Sequence, residues 1–254
     1  MATGVLVLGV DRATRLLGHL ALHDKSYDAT IRLGAATITD DAEGEVIASA
    51  SEDALRAVTQ SDVEAALGAM VGVIRQRPSS VSAIKVDGRR SYDRVRAGEE
   101  VDLPEREVEI TEIVVGPLRW AGHHRDVDVT VTCSTGTYIR AIARDLGQAL
   151  GVGGHLTALR RTRVGPFRLE EAVGIDDIAS GVTSMDAVAP RCFPVVVLDE
   201  QQAMDARHGR PQGWPGSVAA EPSPHALVDS TGALIALARP AGTSLSYVAV
   251  FATD

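Results

Sequence analysis

The sequence predicts an α/β (α+β) chain, and three observations carry that prediction. Tyr27 to Leu33 and Val127 to Cys133 alternate apolar and polar residues with period two, the mark of half-buried strands. Elsewhere apolar residues recur at helical spacing: Val63, Ala66, Leu67, Met70 and Val71, and again Ile139, Ile142, Ala143, Leu146 and Leu150. The composition shifts at Pro190 to Pro194, beyond which short apolar runs flank a loop rich in Pro and Gly. At 254 residues the chain suits one large domain and one small, 1–190 and 191–254.

In chain order, Thr3 to Val10 reads as a buried strand, and Asp11 opens an amphipathic stretch with Leu16, Leu17 and Leu20. The strand at Tyr27 to Leu33 places Ala29, Ile31 and Leu33 on one face, and Gly34 ends it. Ser61 and Glu64 form an S-x-x-E capping box before the first apolar helix. Residues 75–98 are polar, basic and rich in small residues; Pro78-Ser79-Ser80 and Asp87-Gly88 mark a loop and hairpin region. Strands are predicted at Val108 to Val115 and Val127 to Cys133, and a helix from Thr137 to about Leu150, closed by Gly151, Gly153 and Gly154. A second short helix or turn is predicted around Leu156, Leu159, Arg160 and Arg161. The tail reads as a strand at Val195 to Leu198, a helix at Glu200 to His208, and strands at Ala226 to Val228, Leu234 to Ala238 and Tyr247 to Phe251.

Composition excludes several classes. Two cysteines make no disulfide framework and suit a reducing compartment. The apolar runs are too short to span a bilayer, and no signal-peptide pattern opens the chain. Lys plus Arg number 25 against 34 Asp plus Glu, a net charge of −9. That mean hides two Arg-rich blocks, 75–96 and 140–168, beside an acidic stretch at 40–64. Basic blocks in an acidic chain point to a local anionic partner, although either block alone also reads as a solvated face.

Three segments remain as candidate chemistry. Tyr27, at the start of a strand, suits stacking on a base as well as packing at a core edge. Cys133 to Arg140 forms a strand, a turn and a helix start that carries Tyr138 and Arg140. A cation in a first helical turn opposes the helix dipole, so Arg140 calls for an acidic partner, and no nearby carboxylate is obvious in the sequence. Leu156 to Arg163 adds a dense basic edge after a Gly-rich turn. No P-loop, dinucleotide fingerprint or metal-ligand spacing is present, so no cofactor or metal is expected.

Five blocks together resemble the TruB family of bacterial tRNA pseudouridine synthases: ATGVLVLGVDRATRLL (2–17), KSYDATIRLG (25–34), PSSVSAIKVDGRRSYDRVRAGEEV (78–101), GTYIRAIARDLG (136–147) and GGHLTALRRTRVGPF (153–167). The resemblance implies a pseudouridine-synthase fold, with a mixed, mainly antiparallel sheet and flanking helices, followed by a small PUA-like RNA-binding domain. It implies a cytoplasmic isomerase, acting without a cofactor on uridine 55 in the T loop of tRNA. Tyr27 would be catalytic, stacking on the flipped uracil and able to assist proton removal, and Tyr138 and Leu159 would line the uridine pocket. Lys85, Arg160 and Arg161 would contact the RNA, with 75–103 as a clamping insertion. DNA and membrane are not expected partners, and a monomer is the default.

In the family a nucleophilic Asp stands in a G-H-x-G-T-L-D-P segment directly before A-T-G-V-L. Here Met1 precedes Ala2, so that Asp falls upstream of Met1, and Arg140 would be its ion partner. The chain is therefore read as N-terminally truncated, with a non-catalytic tRNA-binding or chaperone module as the alternative. Residues 1–254 alone are expected to release no tritium from 5-tritiated uridine in a T-arm stem-loop; release catalysed by the purified chain would overturn that expectation.

Overall fold

The computed structural model describes residues 2–20, 23–79, 85–86, 89–90, 103–215 and 223–251. The chain divides into two compact units, residues 1–6 with 21–170 and residues 7–20 with 171–254. Up to Gln76 the elements are β1 (Ala2–Gly4), α1 (Thr14–Leu20), β2 (Lys25–Leu33), β3 (Ala35–Thr37), β4 (Val46–Ser49), α2 (Glu52–Ala57), α3 (Gln60–Gly68) and β5 (Gly72–Gln76). Then come β6 (Lys85–Val86), β7 (Arg89–Arg90), β8 (Arg106–Val115), β9 (Arg119–Ala121), β10 (His124–Cys133), α4 (Ile139–Ala149), β11 (Gly154–Val164) and β12 (Phe167–Arg168). The remainder holds α5 (Met185–Cys192), β13 (Val195–Val197), α6 (Glu200–Arg207), β14 (His225–Val228), β15 (Leu234–Ala241) and β16 (Ser244–Val250).

The first unit is built on one sheet, ordered β1-β11-β2-β10-β8-β5, with β12 paired to β11 and β9 to β10. Only β1 runs parallel to its neighbour; the other described pairings in this sheet are antiparallel. Period-two patterning explains the central strands. Ala29, Ile31 and Leu33 of β2 and Val127, Val129, Val131 and Cys133 of β10 are buried on one face. Ile139, Ile142, Ala143 and Leu146 of α4 pack there, with Val63 and Leu67 of α3 and Leu55 of α2. Each such Leu or Ile contributes about 1.5–3 kcal/mol through burial. The opposite face is polar: Thr30 bonds Asp128 at 2.6 Å, Thr130 bonds Asp28 at 2.8 Å, and Arg32 grips Asp126 at 2.8 and 2.9 Å.

The helix α4 sits almost in contact with the start of β11. A Cβ added at Gly147 would lie 2.1 Å from the Gly154 nitrogen and 2.2 Å from the Gly153 carbonyl carbon. No side chain fits there, and the contact sets where the C-terminal end of α4 meets the sheet.

In the second unit, β13-β14-β15-β16 form a four-stranded sheet. Val196, Leu198, Ala203, Ala206, Leu227, Ile235 and Leu245 form its core. Asp199 and Gln202 cap α6 reciprocally. Arg12, just before α1, and Arg15, within it, donate to the carbonyls of Phe251 and Val250 at 2.8 and 2.6 Å.

Several sequence expectations need correction. Leu156 to Arg161 lies within the strand β11, not a helix or turn. The spacing of Leu156 and Leu159 imitates a helix, but pairing with β2 on one side and β1 on the other decides for strand. The buried strand expected at Thr3 to Val10 is reduced to β1; Val5 is buried, but Leu6, Leu8 and Val10 are exposed, and the chain leaves the sheet after Gly4, at φ +99°. The capping box before α3 is Thr59 with Asp62, two residues upstream of the expected pair, because the helix starts earlier. Arg75 and Gln76 belong to a strand, not a loop. Helices α2 and α5 and strands β3, β4 and β9 were not expected. The Asp87-Gly88 turn signal lies between the paired β6 and β7, while most of 80–102 falls outside the described residues. The compact units part at Glu170/Glu171, upstream of the composition shift at 190–194.

Gly147→Ala should lower the unfolding free energy by roughly 2 kcal/mol or more, because backbone must move to admit the methyl group. Urea denaturation of the variant checks this; an unchanged midpoint would mean that α4 does not pack on Gly154 this closely.

Candidate functional site

The site grows from the first turn of α4 and the ends of the strands beneath it. Tyr27 stands on the helix-covered face of β2, opposite Val131 in β10 and Arg161 in β11. Tyr27 and Leu159 are both half-buried against the main core. Burial pushes the Tyr27 hydroxyl above its ordinary value, with Cys133 acting in the same direction; Arg161 beside it acts the other way.

Tyr138 is the N-cap residue of α4 and has no side-chain cap bond of its own. The buried amide of Gln76, from β5, brackets its backbone instead: Tyr138 N–H donates to Gln76 Oε1 at 2.8 Å, and Gln76 Nε2 donates to the Tyr138 carbonyl at 3.1 Å. The Arg106 guanidinium lies 5.2 Å from the Tyr138 ring centroid.

Arg140 finds its acid far away in sequence. Its Nη1 donates to Asp41 Oδ2 at 2.9 Å and to the Thr39 carbonyl at 3.2 Å. Asp41 is buried, its side chain only 8% exposed, and also accepts from Thr39 Oγ1 at 2.6 Å and from the Glu43 backbone N–H at 3.0 Å. The turn carrying Asp41 docks on β11, where Leu156 N–H donates to the Asp40 carbonyl at 3.0 Å. Asp40 adopts φ +60° there. Its carboxyl is pushed up by burial, against the pull of Ser79, Arg144 and Arg140. Arg144, one turn along α4, bonds Asp40 at 3.3 Å, Asp145 at 2.8 Å and the Arg77 carbonyl at 2.8 Å.

The sheet thus carries Tyr27 and Leu159 on the face that α4, with Tyr138 and Arg140, covers. Arg161 shares that face and donates through Nε to the Val5 carbonyl at 2.7 Å. Arg160 does not: it stands across from Asp28 and is exposed on the polar face. Lys85 lies in β6, its backbone paired with Arg90. The acidic partner that no sequence-local carboxylate offered Arg140 is Asp41, 99 positions away. The signal lay in the Thr-Asp-Asp turn at 39–41, but acidic residues in a turn are common and carry no pairing information. Gln76 and the Asp40–Arg144 pair were likewise not anticipated. Among the described residues no cluster of three or more His, Cys, Asp or Glu is arranged to hold a metal, and no helix is long and apolar enough to cross a membrane.

Comparison with known proteins agrees with this architecture. Over 98% of the chain, the fold matches the crystal structure of a Cbf5-Nop10-Gar1 complex, with a TM-score of 0.72, 22% identity and 73% of that chain covered. An H/ACA RNP bound to a substrate RNA containing 2′-deoxyuridine matches at a TM-score of 0.66 and 21% identity, over 96% of this chain and 71% of that one. The model of the TruB family pseudouridylate synthase N-terminal domain matches residues 1–139, and that of the tRNA pseudouridylate synthase B C-terminal domain matches 140–192. Fold and sequence therefore define a chain of the pseudouridylate-synthase class. Within that class it belongs to the TruB family. Relatives called tRNA pseudouridine synthase B include that of Rhodococcus jostii, 52% identical over 257 residues, covering 98% of this chain and 81% of the relative. Those of Corynebacterium diphtheriae, 47% identical over 98% of this chain and 83% of the relative, and Thermobifida fusca, 49% identical over 99% and 86%, agree.

Arg140→Ala should destabilise the first unit by about 3 kcal/mol, since it strands a buried carboxylate, while Asp41→Asn, which keeps one oxygen to accept from Thr39 and Glu43 and leaves only the more exposed Arg140 guanidinium without its carboxylate, should cost less. Chemical denaturation of both variants tests the pair; equal costs would refute it. The alkaline difference spectrum between the wild type and Tyr27→Phe should isolate a phenol titrating above the ordinary tyrosine value, because burial disfavours the phenolate. A phenol titrating below that value would contradict the geometry.

Proposed function

We propose that this chain is the catalytic and RNA-binding body of a tRNA pseudouridine synthase that isomerises uridine 55 in the T loop of tRNA. The observation that carries the reading is the match of nearly the whole chain to relatives of that name at 47–52% identity. The reaction breaks the C1′–N1 glycosidic bond, rotates the uracil and forms a C1′–C5 bond; N1 gains a proton and C5 loses one. It needs a carboxylate nucleophile, a held base and exclusion of water, but no redox step.

The arrangement of this chain's side chains supports a division of labour. The target uridine must leave its stack, at a cost of a few kcal/mol. Tyr27 then offers a flat ring at the edge of the core. A phenol is neutral near pH 7 at its ordinary value, and burial acts further in that direction, so Tyr27 serves as a stacking face and a poor base. Tyr138 and Leu159 complete the walls of the uridine pocket. Arg140 is held by partners that include Asp41 and the Thr39 carbonyl, and the planar fork of a guanidinium suits the orientation of a carboxylate. In the family motif that carboxylate is the Asp of the G-H-x-G-T-L-D-P segment, which is not within residues 1–254. Lys85, Arg160 and Arg161, with the basic 75–103 insertion, contact phosphates of the T arm, where recognition is by shape and charge. Residues 191–254 act as the PUA-like RNA-binding domain, and the enzyme works as a cytoplasmic monomer.

The test uses protein in which the G-H-x-G-T-L-D-P segment directly precedes Ala2. It should release tritium from 5-tritiated uridine at the T-loop position, and replacement of that uridine by cytidine should abolish release. Arg140→Ala should lower turnover on the order of 10²-fold or more while stem-loop affinity stays within a few-fold, because its work is to hold the nucleophile. A loss of binding with turnover per bound RNA preserved would assign Arg140 to RNA contact instead.

A further inference from the structure

We propose that Gln76 is a positioning residue for the uridine pocket: it fixes the backbone of Tyr138, and so the direction of the ring that forms the pocket wall. The inference deepens the function proposed above and rests on Tyr138 lining that pocket.

Tyr138 occupies the N-cap of α4, a position that favours Ser, Thr, Asp or Asn because their short side chains satisfy the orphan N–H groups of the first turn. A tyrosine cannot do this, and Tyr138 makes no side-chain cap bond. Another element bonds the N-cap residue itself instead of the first-turn N–H groups. Gln76, 1% exposed at the end of β5, accepts from the Tyr138 N–H at 2.8 Å and donates to the Tyr138 carbonyl at 3.1 Å. That carbonyl also accepts from Ala141 and Ile142 N–H at 3.1 and 3.3 Å, so it is tied to the helix as well. The two bonds of one amide hold the peptide groups on either side of the Tyr138 Cα. They leave little freedom in φ and ψ, here −104° and 109°, and those angles aim the Cα–Cβ bond.

The same rung of the sheet holds the ring. Gln76 pairs in register with Arg106 of β8, and the Arg106 guanidinium lies 5.2 Å from the Tyr138 ring centroid. Backbone and ring of Tyr138 are therefore both held from one β5–β8 rung. A buried amide is costly unless both its donor and its acceptor are matched, and a packing role alone would be met by Leu or Met of similar volume. The matched pair of bonds to a single residue indicates alignment of that residue. The next residue along ties the same strand end to α4 a second time, through Arg144 Nη2 and the Arg77 carbonyl at 2.8 Å.

The experiment compares the affinity of the full 254-residue chain for two T-arm stem-loops, one with uridine and one with an abasic site at the target position; neither measurement needs turnover. Gln76→Met keeps the volume and removes both bonds. It should lower the uridine-over-abasic ratio roughly tenfold while abasic affinity stays within about twofold. Equal losses on both RNAs, or an unchanged ratio, would overturn the proposal, because a merely structural residue changes both affinities together. Should Gln76→Met fail to fold, Gln76→Glu retains the acceptor for the Tyr138 N–H and sets a carboxylate against the Tyr138 carbonyl; the ratio should again fall, and an unchanged ratio would refute. A wild type that does not discriminate uridine from the abasic site would sink the uridine reading of the pocket rather than the positioning. Amide exchange then decides the latter: faster exchange at Tyr138 in the variant supports the clamp, and unchanged exchange removes it.

Discussion

A carboxylate taken out of water must be matched by charge or hydrogen bonds, and the Asp41–Arg140 pair is where this chain meets that demand. Asp41 sits in a turn between β3 and β4; Arg140 sits in the first turn of α4, where the helix dipole disfavours a cation. Each group is unfavourable in its place alone, and each corrects the other. The pairing locks the turn at 37–45 against α4 and, through the Leu156–Asp40 backbone bond, against β11. Three elements far apart in sequence thereby share one rigid corner.

Around that corner the connections accumulate on one short segment. Gln76 clamps Tyr138, the Arg77 carbonyl accepts from Arg144, and Arg144 also reaches Asp40. The end of β5 is thus tied to the start of α4 and, through Arg144, to the turn at 37–45. Gly147 and Gly154 bring helix and strand so close that α4 has little room to slide. A rigid scaffold of this kind suits a reaction in which a base must be held while one bond breaks and another forms, since small misplacements of positioning groups are costly.

Much of the fold was legible. The strands at 27–33 and 127–133 announced themselves because a half-buried strand must alternate, and their inward residues are the ones that pack beneath α4. The amphipathic stripe of α4 was equally plain. The local spacing misleads at β11, where Leu156 and Leu159 sit three apart as on a helix. A bulge between Leu156 and Ala158 breaks the strict alternation that would have marked a strand. Capping before α3 is ambiguous in the sequence because both Ser61–Glu64 and Thr59–Asp62 satisfy the spacing, and only the backbone angles choose between them.

The candidate site divides along the same line. Tyr27, Tyr138, Arg140 and Leu159 stand within recognisable sequence blocks, and the need of Arg140 for an acid followed from the helix dipole alone. The identity of that acid did not, because Asp41 lies 99 positions away and an ion pair leaves no periodic trace in a sequence. Gln76 escaped for the same reason, as one amide among many polar residues until the fold set it against an N-cap that could not cap itself. Residue chemistry and local periodicity determined the elements and the candidate groups. Which donor meets which acceptor is a matter of distance across the sheet, and only the packed tertiary structure decides it.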